Sequence, residues 1–278
     1  MTRLAILASF VVAAPAWVLA QSGVKISDEG TNDAGIRRFA VQSPYQAGTT
    51  HVRVLVPDKH QDGQTHRVLF VLPVEAGEEH RYGDGLAEVQ RLGLHNRHDL
   101  VCVDPTFSHL PWYADHPTDP EIRQERYFIE VVLPLVVERL PVKSGAENSL
   151  LLGFSKSGWG AWSLLLRHPD RFSRAAAWDA PLAMVSPTKY GMQIVFATQE
   201  NFEPYQITTA LERNIAHLKA PARLGLFGYG NFRDQHVTVH DRLVELGIPH
   251  EYRDGPKREH AWSSGWVTEA VEWLVAPE

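Results

Sequence analysis

The stretch Leu150-Leu151-Leu152-Gly153-Phe154-Ser155-Lys156-Ser157-Gly158-Trp159-Gly160 reads as an apolar strand that runs into a glycine-flanked serine and passes at once into a helix. That is the strand–turn–helix context of a nucleophile elbow. The chemistry needs a sharp turn that holds one hydroxyl in a strained, exposed position. Small residues on either side let the helix pass close to the strand. The backbone N–H after the serine then points to where negative charge would develop on a substrate oxygen. Ser155 stands where strand meets helix. Ser157, in the first helical turn, is the alternative, with a small polar side chain suited to satisfying a free backbone N–H.

Short apolar runs alternate with helical patterns on both sides of this stretch. Strands are predicted at Gly35–Val41, His51–Val56, Val68–Val74, Leu100–Val103, Ser149–Gly153, Ala175–Trp178, Arg223–Phe227 and His250–Arg253. The first two are joined by a turn-rich link (Ser43, Pro44, Gly48), which suits an antiparallel start. The later runs are nearly all apolar, as in strands covered on both faces by helices. Helices are predicted at Leu86–Leu94, Pro120–Leu140, Gly158–His168, Thr208–Leu218, Gln235–Leu246 and Ser264–Val275. Pro134 predicts a kink or restart in the second of these. The alternation implies an α/β fold with a mostly parallel central sheet of about eight strands.

The chain has 278 residues, with 27 Lys+Arg against 33 Asp+Glu, a net charge of −6, and 44% apolar residues. These values exclude disorder and coiled coil, and a chain this long can bury a core without staples. The negative balance argues against nucleic-acid or anionic-membrane partners. Residues 1–20, MTRLAILASFVVAAPAWVLA, have one early positive charge, an apolar run and a small-x-small site before Gln21. This is a secretory signal-peptide pattern, predicting export to a secreted or periplasmic location without a stable membrane anchor. Residues 21–278 are expected to form a single domain with no separate lid. Cys102, the only cysteine, lies in the apolar run Leu100–Val103 and is expected to be a buried hydrophobe.

The quoted motif and its surroundings, over roughly residues 50–276, resemble the α/β-hydrolase superfamily, and more narrowly its esterase-D or feruloyl-esterase-like branch of serine esterases. The motif reads Gly153-x-Ser155-x-Ser157-Gly158, so a serine replaces the second glycine of the usual G-x-S-x-G. The resemblance implies the chain order serine, acid, histidine. It assigns the base to His260, after the last strand and two residues before Trp262. The acid is expected after the strand at Arg223–Phe227. There Asn231 falls at the family position and cannot carry the charge that steadies an imidazolium, which leaves Asp234 as the favoured acid. Asp179, after Trp178, is the alternative, and an N-cap role competes for Asp234. The oxyanion donors are expected to be the backbone N–H of Lys156 and that of Val74 or Glu75.

Trp112, Tyr113, Trp159 and Trp262 lie in the segments expected around this site and are candidates for binding sugar or aromatic ester groups. Trp266, on the last helix, suits core packing better. His95/His98 and His236/His240 have spacings that could share a helix face, but neither pair has the glutamate of a zinc protease motif or a supporting cysteine. No metal or cofactor is expected. The reading is a serine hydrolase acting on a small-molecule carboxylic ester. A peptidase on the same fold and an inactive hydrolase-like binding protein are the alternatives.

Overall fold

The computed structural model describes residues 23–277. The leader expected over residues 1–20 lies outside them. Among the described residues there are nine strands: β1 (Lys25–Thr31), β2 (Arg37–Gln42), β3 (Thr49–Leu55), β4 (Arg67–Val71), β5 (Leu100–Pro105), β6 (Ser149–Phe154), β7 (Arg174–Trp178), β8 (Leu224–Tyr229) and β9 (His250–Lys257). They form one sheet in the order β1-β2-β3-β5-β4-β6-β7-β8-β9. The pairs β1–β2, β2–β3 and β3–β5 are antiparallel, and every pair from β5 through β9 is parallel. The antiparallel start and parallel remainder match the sequence pattern.

The strand that the pattern did not reveal is β1. Its residues, KISDEGT, are almost all exposed, so no apolar alternation marks it. Backbone pairing with β2 defines it instead, with a bulge between Asp28 and Gly30 at the sheet edge.

Successive residues of the central strands divide between two apolar layers, as a period of two requires. Val68, Phe70, Leu151, Ala175 and Ala177 face one layer, and Leu69, Val71, Leu150, Leu152 and Ala176 face the other. The first layer is covered by a long helix α2 (residues 124–139), by α3 (Lys156–Arg167), α4 (Ile207–Arg213) and α5 (Arg233–Glu245), through residues such as Val131, Trp162, Leu211 and Leu243. The second is covered by α1 (Gly85–Arg91) and α6 (Trp266–Val275), through Leu86, Val89, Val267 and Val271. Burying each such Val or Leu side chain contributes about 1.5–3 kcal/mol, so both layers are needed to hold the sheet.

Helix α2 runs through Gln124–Arg126, Tyr127–Val132 and Leu133–Arg139, and its middle part is a π-turn. Leu133 N–H reaches five residues back to the Phe128 carbonyl. Pro134 has no N–H to give and its ring would crowd the carbonyl four residues back, so the expected irregularity takes the form of a wider turn just before it. Among the described residues, no helix is long and apolar enough to cross a membrane.

Candidate active site

The carboxyl ends of the parallel strands bring the candidate residues together, the edge at which open α/β sheets build sites. Ser155 follows β6 with φ 53° and ψ −127°, a left-handed conformation that a residue with a Cβ adopts only when its surroundings impose it. The constraint is visible. Ser155 N–H donates to the Trp178 carbonyl at 3.2 Å, and the Ser155 carbonyl accepts from Gly158 and Trp159 N–H. A Cβ on Gly153 would lie 2.1 Å from the Ser157 carbonyl oxygen, and one on Gly158 would lie 2.8 Å from the Ala180 Cβ. Strand, helix and the turn after β7 can therefore approach this closely only with glycine at both positions.

Ser157 closes the turn. Its buried hydroxyl donates to the Phe154 carbonyl at 2.9 Å and accepts from the Phe154 N–H at 3.0 Å. The two serines thus differ in kind: one hydroxyl is committed to the backbone, and the other sits at the N-terminus of a 12-residue helix whose dipole favours negative charge nearby.

His260 lies on the loop between β9 and α6. Its ring packs 4.6 Å from the ring of Phe154, the residue before Ser155, and edge-on to Tyr82 at 5.0 Å. Its Nδ1 is 2.5 Å from Oδ2 of Asp179. This corrects the expectation for the acid: the imidazole's partner is Asp179, and Asp234 is exposed on the first turn of α5. The physical reason lies in the loop after β8. That loop supplies N–H groups to a carboxylate and no carboxylate of its own. Asn231 and Phe232 N–H donate to Asp179 Oδ1 at 2.6 and 2.8 Å. A Cβ on Gly230 would lie 2.5 Å from Asp179 Oδ2, so glycine lets the loop close over the side chain. The chain then enters α5 at Arg233, which turns Asp234 outward.

Burial would push the Asp179 carboxyl up. Hydrogen bonds from His260 and from the Gly230, Phe232 and Asn231 backbone outweigh it and hold the group below its ordinary value of 3.8. His236 steadies the same turn from behind: its Nε2 accepts the Ala180 N–H at 2.9 Å. Burial holds His236 at about 4, so it is the neutral acceptor that this bond requires. His240, one turn along, pairs instead with His250 at 2.8 Å, so the two histidines do not converge.

The loop after β4 carries Val74 and Glu75. Its Pro73 carbonyl accepts from the Tyr113 hydroxyl at 2.7 Å, and Gly77 N–H donates to the Phe107 carbonyl at 2.7 Å. Lys156 Nζ lies 3.6 Å from Glu75 Oε1. The residues expected to donate to an oxyanion are therefore neighbours in space. Cys102 is fully buried in the second apolar layer, and burial pushes its thiol well up.

The family described as "Putative esterase" matches residues 101–221, a span that includes both Ser155 and Asp179. No curated protein matches the chain in sequence. Among solved structures, an S-formylglutathione hydrolase from Staphylococcus aureus superposes with a TM-score of 0.69 at 15% identity, over 91% of this chain and 100% of the other. The fluorophosphonate-binding serine hydrolase F of Staphylococcus aureus gives 0.71 at 16% identity, over 87% and 98%. A ferulic acid esterase gives 0.64 at 19% identity, over 91% and 96%. The chain has the fold of these hydrolases, and its residues 101–221 match the esterase family.

The aromatic residues of this chain are placed differently from the sequence expectation. Trp112, Tyr113, Trp159 and Trp262 are all buried and are packing residues. Trp112 meets Trp159 edge-on at 5.6 Å, and Trp159 meets Phe196 at 5.7 Å. Tyr113 lies against α3 at Gly160, where a Cβ would fall 2.0 Å from its ring. Trp262 packs on Phe154 and Trp178 and over Gly85. The rings that do face His260 besides Phe154 and Tyr82 are Phe232, at 5.9 Å, and behind it the half-exposed Tyr190, edge-on to Phe232 at 5.7 Å. Tyr190 and Phe232 belong to connections that no sequence signal singled out. A cleft of about 400 Å³ opens beside His260, lined by Gly230, Asn231, Lys257, Arg258 and Glu259.

Proposed function

We propose that this esterase-type hydrolase cleaves small carboxylic esters through a covalent serine intermediate, with Ser155 as nucleophile, His260 as base and Asp179 as the acid that orients it. The observation that carries the reading is the Asp179–His260 contact beside the strained Ser155 turn. With Nδ1–H donated to Asp179, Nε2 is the basic nitrogen. Ser155 Oγ attacks the ester carbonyl and gives its proton to Nε2. The imidazolium, steadied by the Asp179 carboxylate, returns that proton to the leaving alcohol. Water then repeats the sequence on the acyl-enzyme and releases the acid. The Lys156 N–H, at the start of α3, and the Val74 or Glu75 N–H hold the oxyanion.

The aromatic rings of Tyr82, Phe232 and Tyr190 around His260 favour an ester with a flat apolar group on one side, which ring edges and faces bind well. A fluorophosphonate probe tests the reading. Wild type and Ser157→Ala are expected to take the label, and Ser155→Ala to lose it together with hydrolysis of aryl and short-chain esters. Labelling that persists in Ser155→Ala, or a well-folded wild type that takes no label at neutral pH, overturns it.

A further inference from the structure

Strands β4 and β6 are paired neighbours, and among the described residues their last backbone hydrogen bond runs from Leu72 N–H to the Leu152 carbonyl, at 2.9 Å. Beyond that rung the two chains part. One enters the Ser155 turn and the other enters the loop of Val74 and Glu75. Pro73 and Gly77 are tied by Tyr113 and Phe107, so that loop is held at its two ends. Its middle is joined to the Ser155 turn by the ion pair of Lys156 Nζ and Glu75 Oε1, at 3.6 Å. The two side chains are only 13% and 11% exposed, so water screens the pair little. A pair so withdrawn from solvent gains little net stability, because desolvation offsets the attraction. Its distinctive property is geometric: it fixes a distance.

We infer that the Lys156–Glu75 pair is a latch that sets the span between the two backbone donors of the oxyanion hole, making Lys156 and Glu75 positioning residues for ester hydrolysis. The inference rests on the function proposed above and goes beyond it, since it gives the two side chains work that their backbone groups do not do. The charged groups facing Lys156 are Glu75 and Arg81. Burial pushes the ammonium below its ordinary value of 10.5, Arg81 adds to that lowering, and Glu75 opposes it. Lysine therefore loses its proton, and the latch opens, at a lower pH than for a free side chain. Arginine at the same place would stay charged.

The test measures kcat and KM on an aryl ester for Lys156→Met, Glu75→Gln, the double variant and Lys156→Arg. Fluorophosphonate labelling of wild type, lost in Ser155→Ala, is established first, so that a failure of the parent reading is recognised separately. Each single variant is expected to lower kcat about 10- to 100-fold, somewhat less than deleting an oxyanion donor outright, with KM changed by less than about threefold. The double variant is expected to be no slower than the slower single one, because either change opens the same latch. Wild type is expected to lose kcat at alkaline pH as the latch opens, and Lys156→Arg, which keeps the charge, to recover most of kcat and to abolish that fall. Single variants that fold and keep kcat within about twofold, or losses that multiply in the double variant, overturn the latch.

Discussion

Asp179 and Asp104 are two carboxylates buried near the carboxyl ends of parallel strands, one after β7 and one within β5, and the protein treats their protons in opposite ways. Asp179 receives His260 on one oxygen and the Asn231 and Phe232 N–H groups on the other, and it is held below the ordinary carboxylate value. Asp104 receives one guanidinium nitrogen of Arg53, at 3.0 Å on Oδ2. Arg53 also grips Asp84 with two nitrogens at 2.6 and 2.8 Å, so its charge is shared. Asp104 Oδ1 has no hydrogen-bond partner among the described residues. Burial then dominates and raises Asp104 to about 7, with Asp84 and Glu78 adding to the effect against Arg53. Deeper burial with fewer donors makes Asp104 a group that titrates near neutrality, whereas the donors around Asp179 make it a fixed anion. The N–H groups aimed at the Asp179 oxygens are what offset its burial and keep it ionised beside His260.

The largest effect expected from this contrast follows removal of the fixed anion. Asp179→Asn keeps the size of the side chain but loses the charge and favours the wrong imidazole tautomer. Loss of an acid in this position lowers kcat by about ten-thousand-fold. The variant is expected to show that scale of loss in steady-state hydrolysis of an aryl ester while retaining a cooperative thermal transition. A kcat within tenfold of wild type would separate the Asp179–His260 contact from catalysis and leave it a structural bond.

That contrast also marks how far the sequence could be read. Gly153, Ser155 and Gly158 were legible because steric demands at one sharp turn act over six residues, and those demands leave a local mark. The two-layered sheet was legible because alternate strand residues such as Leu150 and Leu151 must face different layers. The partner of His260 was not, since it depends on how two separate loops fold over each other. Asp179 and Asp234 both follow apolar strands within a few residues, and only the course of Gly230–Phe232 distinguishes them. The tryptophans misled for a related reason. A ring in a long connection looks exposed in the sequence, yet Trp112 and Trp159 are covered by Tyr190 and Phe196, residues that lie far along the chain. Strand β1 carries polar residues on both faces and was invisible to any reading of periodicity.

A smaller effect, on stability, tests the other half of the comparison. Between about pH 4 and pH 7 the unfolded chain has released the Asp104 proton and the folded chain retains it. Asp104 therefore makes the fold less stable as pH rises through this window. Asp179, held below its ordinary value, acts in the opposite sense: its contribution is full above that value and is lost as pH falls through the lowered one. Asp104→Asn removes only the first effect. Chemical denaturation at pH 5 and pH 8 is expected to show the variant gaining about 1–3 kcal/mol on wild type between the two conditions. A difference that is flat with pH would mean that Arg53 already holds Asp104 ionised throughout.

The smallest effect is expected at Asp234, the residue that loop position alone had favoured. It is exposed on the first turn of α5, and its backbone carbonyl accepts from the Thr238 hydroxyl at 2.8 Å. A carboxylate there interacts favourably with the positive end of the helix dipole, worth about 0.3–1 kcal/mol and weakened by salt. Asp234→Asn should therefore lower the unfolding midpoint slightly, with the difference shrinking as salt is added. Its effect on kcat should stay within about twofold, the range of a surface change away from the reacting groups. The variant is the counterpart of Asp179→Asn, because both remove one negative charge from the same end of the sheet. If the two substitutions slowed hydrolysis equally, the general negative potential near His260 would matter more than the hydrogen bond, and the argument from donor count would fail. If only Asp179→Asn does so, the stabilisation of the imidazolium is a property of that contact, and the N–H groups of Asn231 and Phe232 are what hold the carboxylate in place to make it.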